Sequence, residues 1–211
     1  FASFSAFQTA NQKTFQKTAP NRRFCDIIEK THFSHKERIS KMNYYSTRDS
    51  ERKIAKTSAE VIKQGIADDG GLFLPESIPE ISLDFIKEMG TLPYSERAAK
   101  ILSLYLTDYT YEELLDCAQK AYDDNFGDFA APVSSLIGDD LRVLELWHGP
   151  TCAFKDMALQ ILPHLLTTSM EKTGTDKKVA ILVATSGDTG KAALEGFKDV
   201  DKTSIIVFYP T

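Results

Sequence analysis

Between residues 58 and 126 apolar side chains recur at three- and four-residue spacing, and from residue 177 they run together in blocks. The first pattern belongs to amphipathic helices, the second to buried strands. "SAEVIKQGI" (58–66) predicts a short helix capped by Ser58, with Glu60 in its first turn. "ADDGGLFLPESIPE" (67–80) predicts a glycine turn and then a short extended segment around Leu72, Phe73 and Leu74. Three helices follow, in "SLDFIKEM" (82–89), "SERAAKILSLYL" (95–106) and "TYEELLDCAQKAYDDNF" (110–126). Ala98, Ile101, Leu102 and Tyr105 form one stripe, and Leu114, Leu115, Ala118 and Tyr122 another. Ser95 and Thr110 are the expected N-caps. These stripes read as core, and the segment names no chemistry.

After residue 139 the period changes. "DLRVLELWHG" (140–149) alternates as a strand and stops at Gly149-Pro150, and "AFKDMALQILPHLLTTSMEK" (153–172) predicts one helix bent at Pro163. "KKVAILVAT" (177–185) predicts a strand buried on both faces. "SGDTG" leads into the helix "KAALEGFKDV" (191–200), and "TSIIVFYP" (203–210) is a further strand. The expectation is therefore an α/β chain. A mainly helical part over 42–130 precedes the first, incomplete part of a parallel-sheet domain over 131–211, with three parallel strands in β-α-β-α-β order. The chain stops directly after a strand, which reads as truncation at the C-terminus.

Charge separates off a further segment. Residues 1–41 carry eight Lys/Arg against three Asp/Glu, a net of +5, which leaves 17 against 27 over 42–211, a net of −10. Without a clear period, 1–41 is expected to be disordered or a non-native extension; the first methionine is Met42. A net charge of −5 over 211 residues gives no footprint for nucleic acid. No apolar run approaches a membrane span. Cys25, Cys117 and Cys152 are odd in number and form no CxxC pair, which fits a reducing compartment, the cytoplasm, and gives no metal site.

Two stretches carry candidate chemistry. "TSGDTG" (185–190) joins a strand to a helix, where glycines and helix N-terminal N–H groups can take a carboxylate or phosphate. A plain strand-to-helix turn explains the same residues. In "ELWHGPTCAFKDMALQ" (145–160), Lys155 sits at the expected start of a long helix, where dipole and burial would both lower its pKa and favour Schiff-base chemistry. A solvated lysine paired with Asp156 is the plainer reading. His148 is a candidate acid or base; Cys152 is a candidate nucleophile but, without a convincing base, reads rather as a small packed side chain. His32, His35 and His164 add no metal spacing, and Asp68-Asp69 and Asp123-Asp124 read as solvated turn charges.

Taken with "NYYSTRD" (43–49) and "DDGGLFLPE" (68–76), the segments "HGPT" and "AFKD" (148–151 and 153–156) and "TSGDTG" occur in the order found in the threonine synthase family, which this chain resembles from about Met42 to Thr211. That family consists of pyridoxal 5'-phosphate (PLP) enzymes of the tryptophan synthase β-like fold, fold type II. The resemblance implies conversion of O-phospho-L-homoserine and water to L-threonine and phosphate through a PLP Schiff base on Lys155. It implies Lys155 as the catalytic residue and Lys155, Phe154 and Asp188 at the cofactor. Thr185, Ser186, Gly187, Thr189 and Gly190 would bind the substrate. A monomer or homodimer acting on a small molecule, with no metal, nucleic acid or membrane, completes the expectation. The family's PLP-phosphate loop and its group facing the pyridine nitrogen lie further along, so the 211 residues alone are expected to be inactive. Another lyase of the fold, dehydratase-like, and a non-catalytic anion-binding protein are the alternatives.

Overall fold

A computed structural model describes residues 41–127, 129–135, 141–185 and 187–210. The expectation for 1–41 lies outside the described residues except at Lys41. Strand β1 (Tyr44–Ser46) pairs antiparallel with β2 (Phe73–Pro75). Between them lies α1 (Ser58–Gln64), and after them come α2 (Leu83–Met89), α3 (Tyr94–Tyr105) and α4 (Tyr111–Tyr122). The second part holds the strands β3 (Val133–Ser135) and β4 (Arg142–Leu144), the short helix α5 (Asp156–Leu159), and α6 (Leu162–Lys172). It ends with β5 (Val179–Ala184), α7 (Asp188–Phe197) and β6 (Thr203–Phe208).

Local chemistry sets the helix starts. At α4 the Thr110 hydroxyl accepts from the Glu113 N–H at 3.2 Å, while the Glu113 carboxylate accepts from the Thr110 N–H at 2.8 Å. This capping box was legible in the sequence. At α1 the same device uses Thr57 with Glu60, so the cap is one residue earlier than the expected Ser58. Ser58 is instead buried and donates to the Tyr105 carbonyl at 3.2 Å. Pro93, not Ser95, precedes α3, and Ser95 too is buried.

The apolar stripes meet as read. Leu114, Ala118 and Tyr122 from α4 pack with Ala99 of α3, Ala59 of α1 and Leu165 of α6 in one core, and Ala98, Leu102, Tyr105 and Leu115 close its edges. Fully burying a leucine such as Leu114 contributes about 2 kcal/mol. A smaller core joins α6 and α7 to the sheet through Leu166, Met170 and Phe197 against Val179, Ile181 and Ile205.

Two strand expectations are corrected. Only β5 and β6 are parallel, in register from Val179 opposite Thr203 to Ala184 opposite Phe208. The strand expected over 140–149 shortens to β4 and pairs antiparallel with β3, a neighbour close in sequence, so no three-stranded parallel sheet forms among the described residues. Local hairpin closure costs less chain entropy than a distant crossover. Nor is β5 covered on both faces: its residues alternate between half-buried and exposed. Helices α6 and α7 cover one face, and Leu182, Ile206 and Phe208 stand on the other, Leu182 with 67% of its surface exposed.

The helix expected over 153–172 is in two pieces. Gln160 closes α5, Ile161 precedes α6, and Pro163 falls in the first turn of α6, where a missing N–H costs nothing. The break thus precedes the proline rather than bending at it.

Candidate active site

The turn before Lys155 is organised by a buried carboxyl group. Asp156 has no exposed surface, and its Oδ2 accepts from the Thr151 N–H at 2.8 Å and its Oδ1 from the Thr151 hydroxyl at 2.7 Å. Gly149 is required there, because a Cβ on it would lie 2.5 Å from the Asp156 Cβ and 2.6 Å from Oδ2. The Cys152 N–H donates to the Gly149 carbonyl at 3.1 Å, and Cys152 takes φ 59°, a left-handed position uncommon outside glycine. From the core side, the buried Tyr122 hydroxyl donates to the Met157 carbonyl at 2.8 Å. The segment 149–157 is therefore held at both ends.

Lys155 immediately precedes α5 and is half-buried. Its Nζ forms no ion pair or hydrogen bond with the described residues and lies 4.4 Å from the centre of the Phe154 ring, a cation–π contact. The plainer reading, a lysine paired with Asp156, fails because the Asp156 carboxyl turns inward to Thr151. The dipole argument loses its basis as well, since Lys155 heads a helix of four residues rather than a long one. An open, largely apolar hollow of about 640 Å³ borders Lys155 and Phe154, walled by Tyr94, Leu144, Leu146 and Met157.

The second stretch lies at the carboxyl end of β5. Thr185 continues the ladder, its N–H donating to the Phe208 carbonyl at 3.0 Å, and its hydroxyl accepts from the Gly187 N–H at 3.3 Å. Asp188 and Thr189 open α7 and are exposed, as is Gly187, while Gly190 is buried. Ser186 lies outside the described residues. A Cβ on Gly190 would stand 2.1 Å from the Thr185 Cγ2, so the first turn of α7 presses directly on the strand end. Thr185 thus supports the loop, whereas the exposed Thr189 side chain has no hydrogen-bond partner among the described residues.

Two contacts tie the stretches together. Lys191, in the first turn of α7, donates from Nζ to the Thr151 carbonyl at 3.5 Å. At the other end of α7 a Cβ on Gly196 would meet the Leu159 carbonyl oxygen at 2.0 Å, so α7 lies flush against the end of α5. Reading the sequence did not find the parts played by Gly149, Thr151, Asp156, Gly196 and Lys191. "HGPT" and "AFKD" were both read, but nothing in them shows that the aspartate of one is the anchor of the other.

The remaining candidates take other roles. His148 Nε2 is 2.7 Å from Glu145 Oε2, and its ring stacks on Trp147. Hydrogen bonds from Ser134 and His148 hold the Glu145 carboxyl below its ordinary value. Burial pushes the Cys117 thiol up, and it sits 3.6 Å from the Thr168 hydroxyl. Among the described residues no group of His, Cys, Asp and Glu could hold a metal ion, and no helix is long and apolar enough to cross a membrane.

Residues 43–122 match the family described as threonine synthase N terminus. The threonine synthase of Pseudomonas aeruginosa is 39% identical over 173 residues, 80% of this chain and 35% of that protein. This chain is similar to threonine synthases over their N-terminal third. A crystal structure of PLP-bound threonine synthase from Brucella melitensis superposes with a TM-score of 0.73 at 32% identity, covering 81% of this chain and 36% of that one. Human threonine synthase-like 1 is 37% identical over 172 residues, 77% of this chain and 23% of that protein. The chain thus spans about a third of the length of the threonine synthases it matches, and over that third its α/β fold is theirs.

Proposed function

We propose that this chain supplies the lysine-bearing part of a threonine synthase, which converts O-phospho-L-homoserine and water to L-threonine and phosphate. The observation that carries the reading is the built turn around Lys155, where a buried aspartate anchors the loop and leaves the neighbouring amine without an ionic partner among the described residues. Such an amine suits PLP, whose aldehyde needs a positioned lysine, and the apolar hollow beside it suits an aromatic ring. Lys155 and Phe154 would hold the cofactor, with Asp188 beside it.

PLP, when bound, supplies an electron sink for breaking the substrate's C–H bonds. Lys155 Nζ would carry protons at the substrate's Cα and Cβ, a role that needs an amine held within reach but not locked in an ion pair. The 185–190 loop would take the substrate carboxylate through Ser186, Thr189 and the N–H groups of Gly187 and Gly190. Lys191 would keep that loop in register with the Lys155 turn. The exposed Leu182, Ile206 and Phe208 face supports the further proposal that the 211 residues alone are inactive. The reading places the protein in the cytoplasm as a monomer or homodimer, in keeping with its free Cys117 and Cys152.

The test is a chimera in which this chain replaces the matched part of the Pseudomonas aeruginosa enzyme. Phosphate release from O-phospho-L-homoserine is expected, with Lys155→Ala abolishing it. L-threonine is offered as the alternative substrate, for the dehydratase-like reading. A chimera that deaminates threonine but releases no phosphate sinks the proposal in favour of a dehydratase-like lyase.

A further inference from the structure

A second cleft, of about 520 Å³, lies at the far end of α7 from the candidate active site. Because β5 and β6 run parallel, the loop after β5 and the 198–202 turn before β6 sit at opposite ends of the strands. The ten residues of α7 separate them by about 15 Å. Gln160 lines this cleft with an amide donor that has no acceptor among the described residues. Gln160 is only 5% exposed, and its Nε2 is buried without a hydrogen-bond partner. Buried amide donors are nearly always satisfied, so an orphan lining a cavity points to a missing acceptor.

His164, in the first turn of α6, lines the same cleft. Its ring makes no hydrogen bond with the described residues. Burial, and then the nearby charge of Lys120, lower its pKa, so near neutrality it offers one N–H donor and one acceptor. The rim carries charge of both signs. Lys120, Lys198 and Lys202 are each engaged by an acid, at 2.6, 4.0 and 4.0 Å. Glu171, Asp199 and Asp201 line the cleft without a cationic partner among the described residues. With Glu195 this makes four carboxylates against three lysines, a surplus of one negative charge beside a neutral donor pair.

We propose that this cleft binds a free amino acid, its carboxylate on the Gln160 amide and the His164 N–H and its ammonium group on the unpaired rim carboxylates. The surplus negative charge favours a ligand of net charge +1. The volume lies within the range of small-molecule pockets. Gln160 directly follows Leu159, whose carbonyl meets Gly196, so an occupant would bear on the packing of α5 against α7.

L-lysine is the probe, titrated calorimetrically into the 211-residue chain, with Nα-acetyl-L-lysine and L-lysinamide as versions lacking one end. One-to-one binding of L-lysine is expected, weakened about tenfold by blocking either end and about tenfold by Gln160→Met or Asp199→Asn. Asp199 is an exposed turn residue, so its variant tests the site even if Gln160→Met does not fold. The proposal is overturned by no measurable binding of L-lysine. Equal binding of L-lysinamide, or unchanged affinity in a folded Asp199→Asn chain, overturns it as well.

Discussion

Removing the Asp156 side chain is the most informative single perturbation of the Lys155 turn. In Asp156→Ala the buried Thr151 N–H and hydroxyl each lose their acceptor, at 2.8 and 2.7 Å. Each buried donor left unmade costs about 1–3 kcal/mol. Part is recovered if Thr151 turns outward, so the expected loss is about 3 kcal/mol, a large share of a typical domain's 5–15 kcal/mol. At a urea slope of about 2 kcal/mol per molar, the unfolding midpoint falls by about 1.5 M. Asp156→Asn is the control that separates hydrogen bonding from packing. Its amide oxygen can keep the Thr151 N–H while the Thr151 hydroxyl rotates to accept from the new NH2, so about 1 kcal/mol or less is expected. Urea melts followed by circular dichroism read both variants. A loss below about 0.5 kcal/mol in Asp156→Ala, within the range of a surface change, refutes the anchoring argument.

Other positions give independent checks. Gly190→Ala should cost about 1–3 kcal/mol, because its Cβ would meet the Thr185 Cγ2 at 2.1 Å. Thr185→Ser removes that methyl, so a double-mutant cycle should return a favourable coupling of about 1 kcal/mol, and additive losses would contradict the contact. Gly196→Ala meets a backbone carbonyl at 2.0 Å, which no side-chain change can relieve, so the expected melting loss has no such rescue. Thr110→Ala should cost about 1 kcal/mol through the lost cap of α4. Burial alone would raise Glu113, but its bonds from Lys172 and the Thr110 N–H outweigh it and hold the carboxyl below its ordinary 4.5. A carboxyl lowered on folding stabilises above its unfolded pKa and loses that effect as pH falls through the folded one. Glu113→Gln should therefore destabilise at neutral pH, with the difference closing in acid; a pH-independent difference would contradict the sign.

Periodicity made the helical part readable, because Leu114, Ala118 and Tyr122 sit on one stripe whatever packs against them. The turn at Gly70-Gly71 and the capping box at Thr110 were readable for the same reason, since their chemistry is local. Pairing was not. The residues of β4 alternate as any strand does, and only the nearness of Val133–Ser135 decides that it closes a hairpin. The β5 run looks doubly buried because its apolar content is continuous, yet coverage depends on what lies across it, and Leu182 faces outward. At the candidate site the motif drew attention to Lys155, while the support around that lysine was not legible. Asp156 reads as the obvious ionic partner of Lys155 in one dimension and turns away from it in three.

The central claim is that Lys155 is the lysine that takes PLP, and covalent trapping tests it most directly. The chain is incubated with PLP at low stoichiometry and reduced with borohydride, and the pyridoxyl occupancy of each lysine is read by peptide mass spectrometry. The account predicts occupancy concentrated on Lys155 and lost with Asp156→Ala at equal folded fraction. Occupancy spread over surface lysines, with Lys155 unmodified, would contradict it.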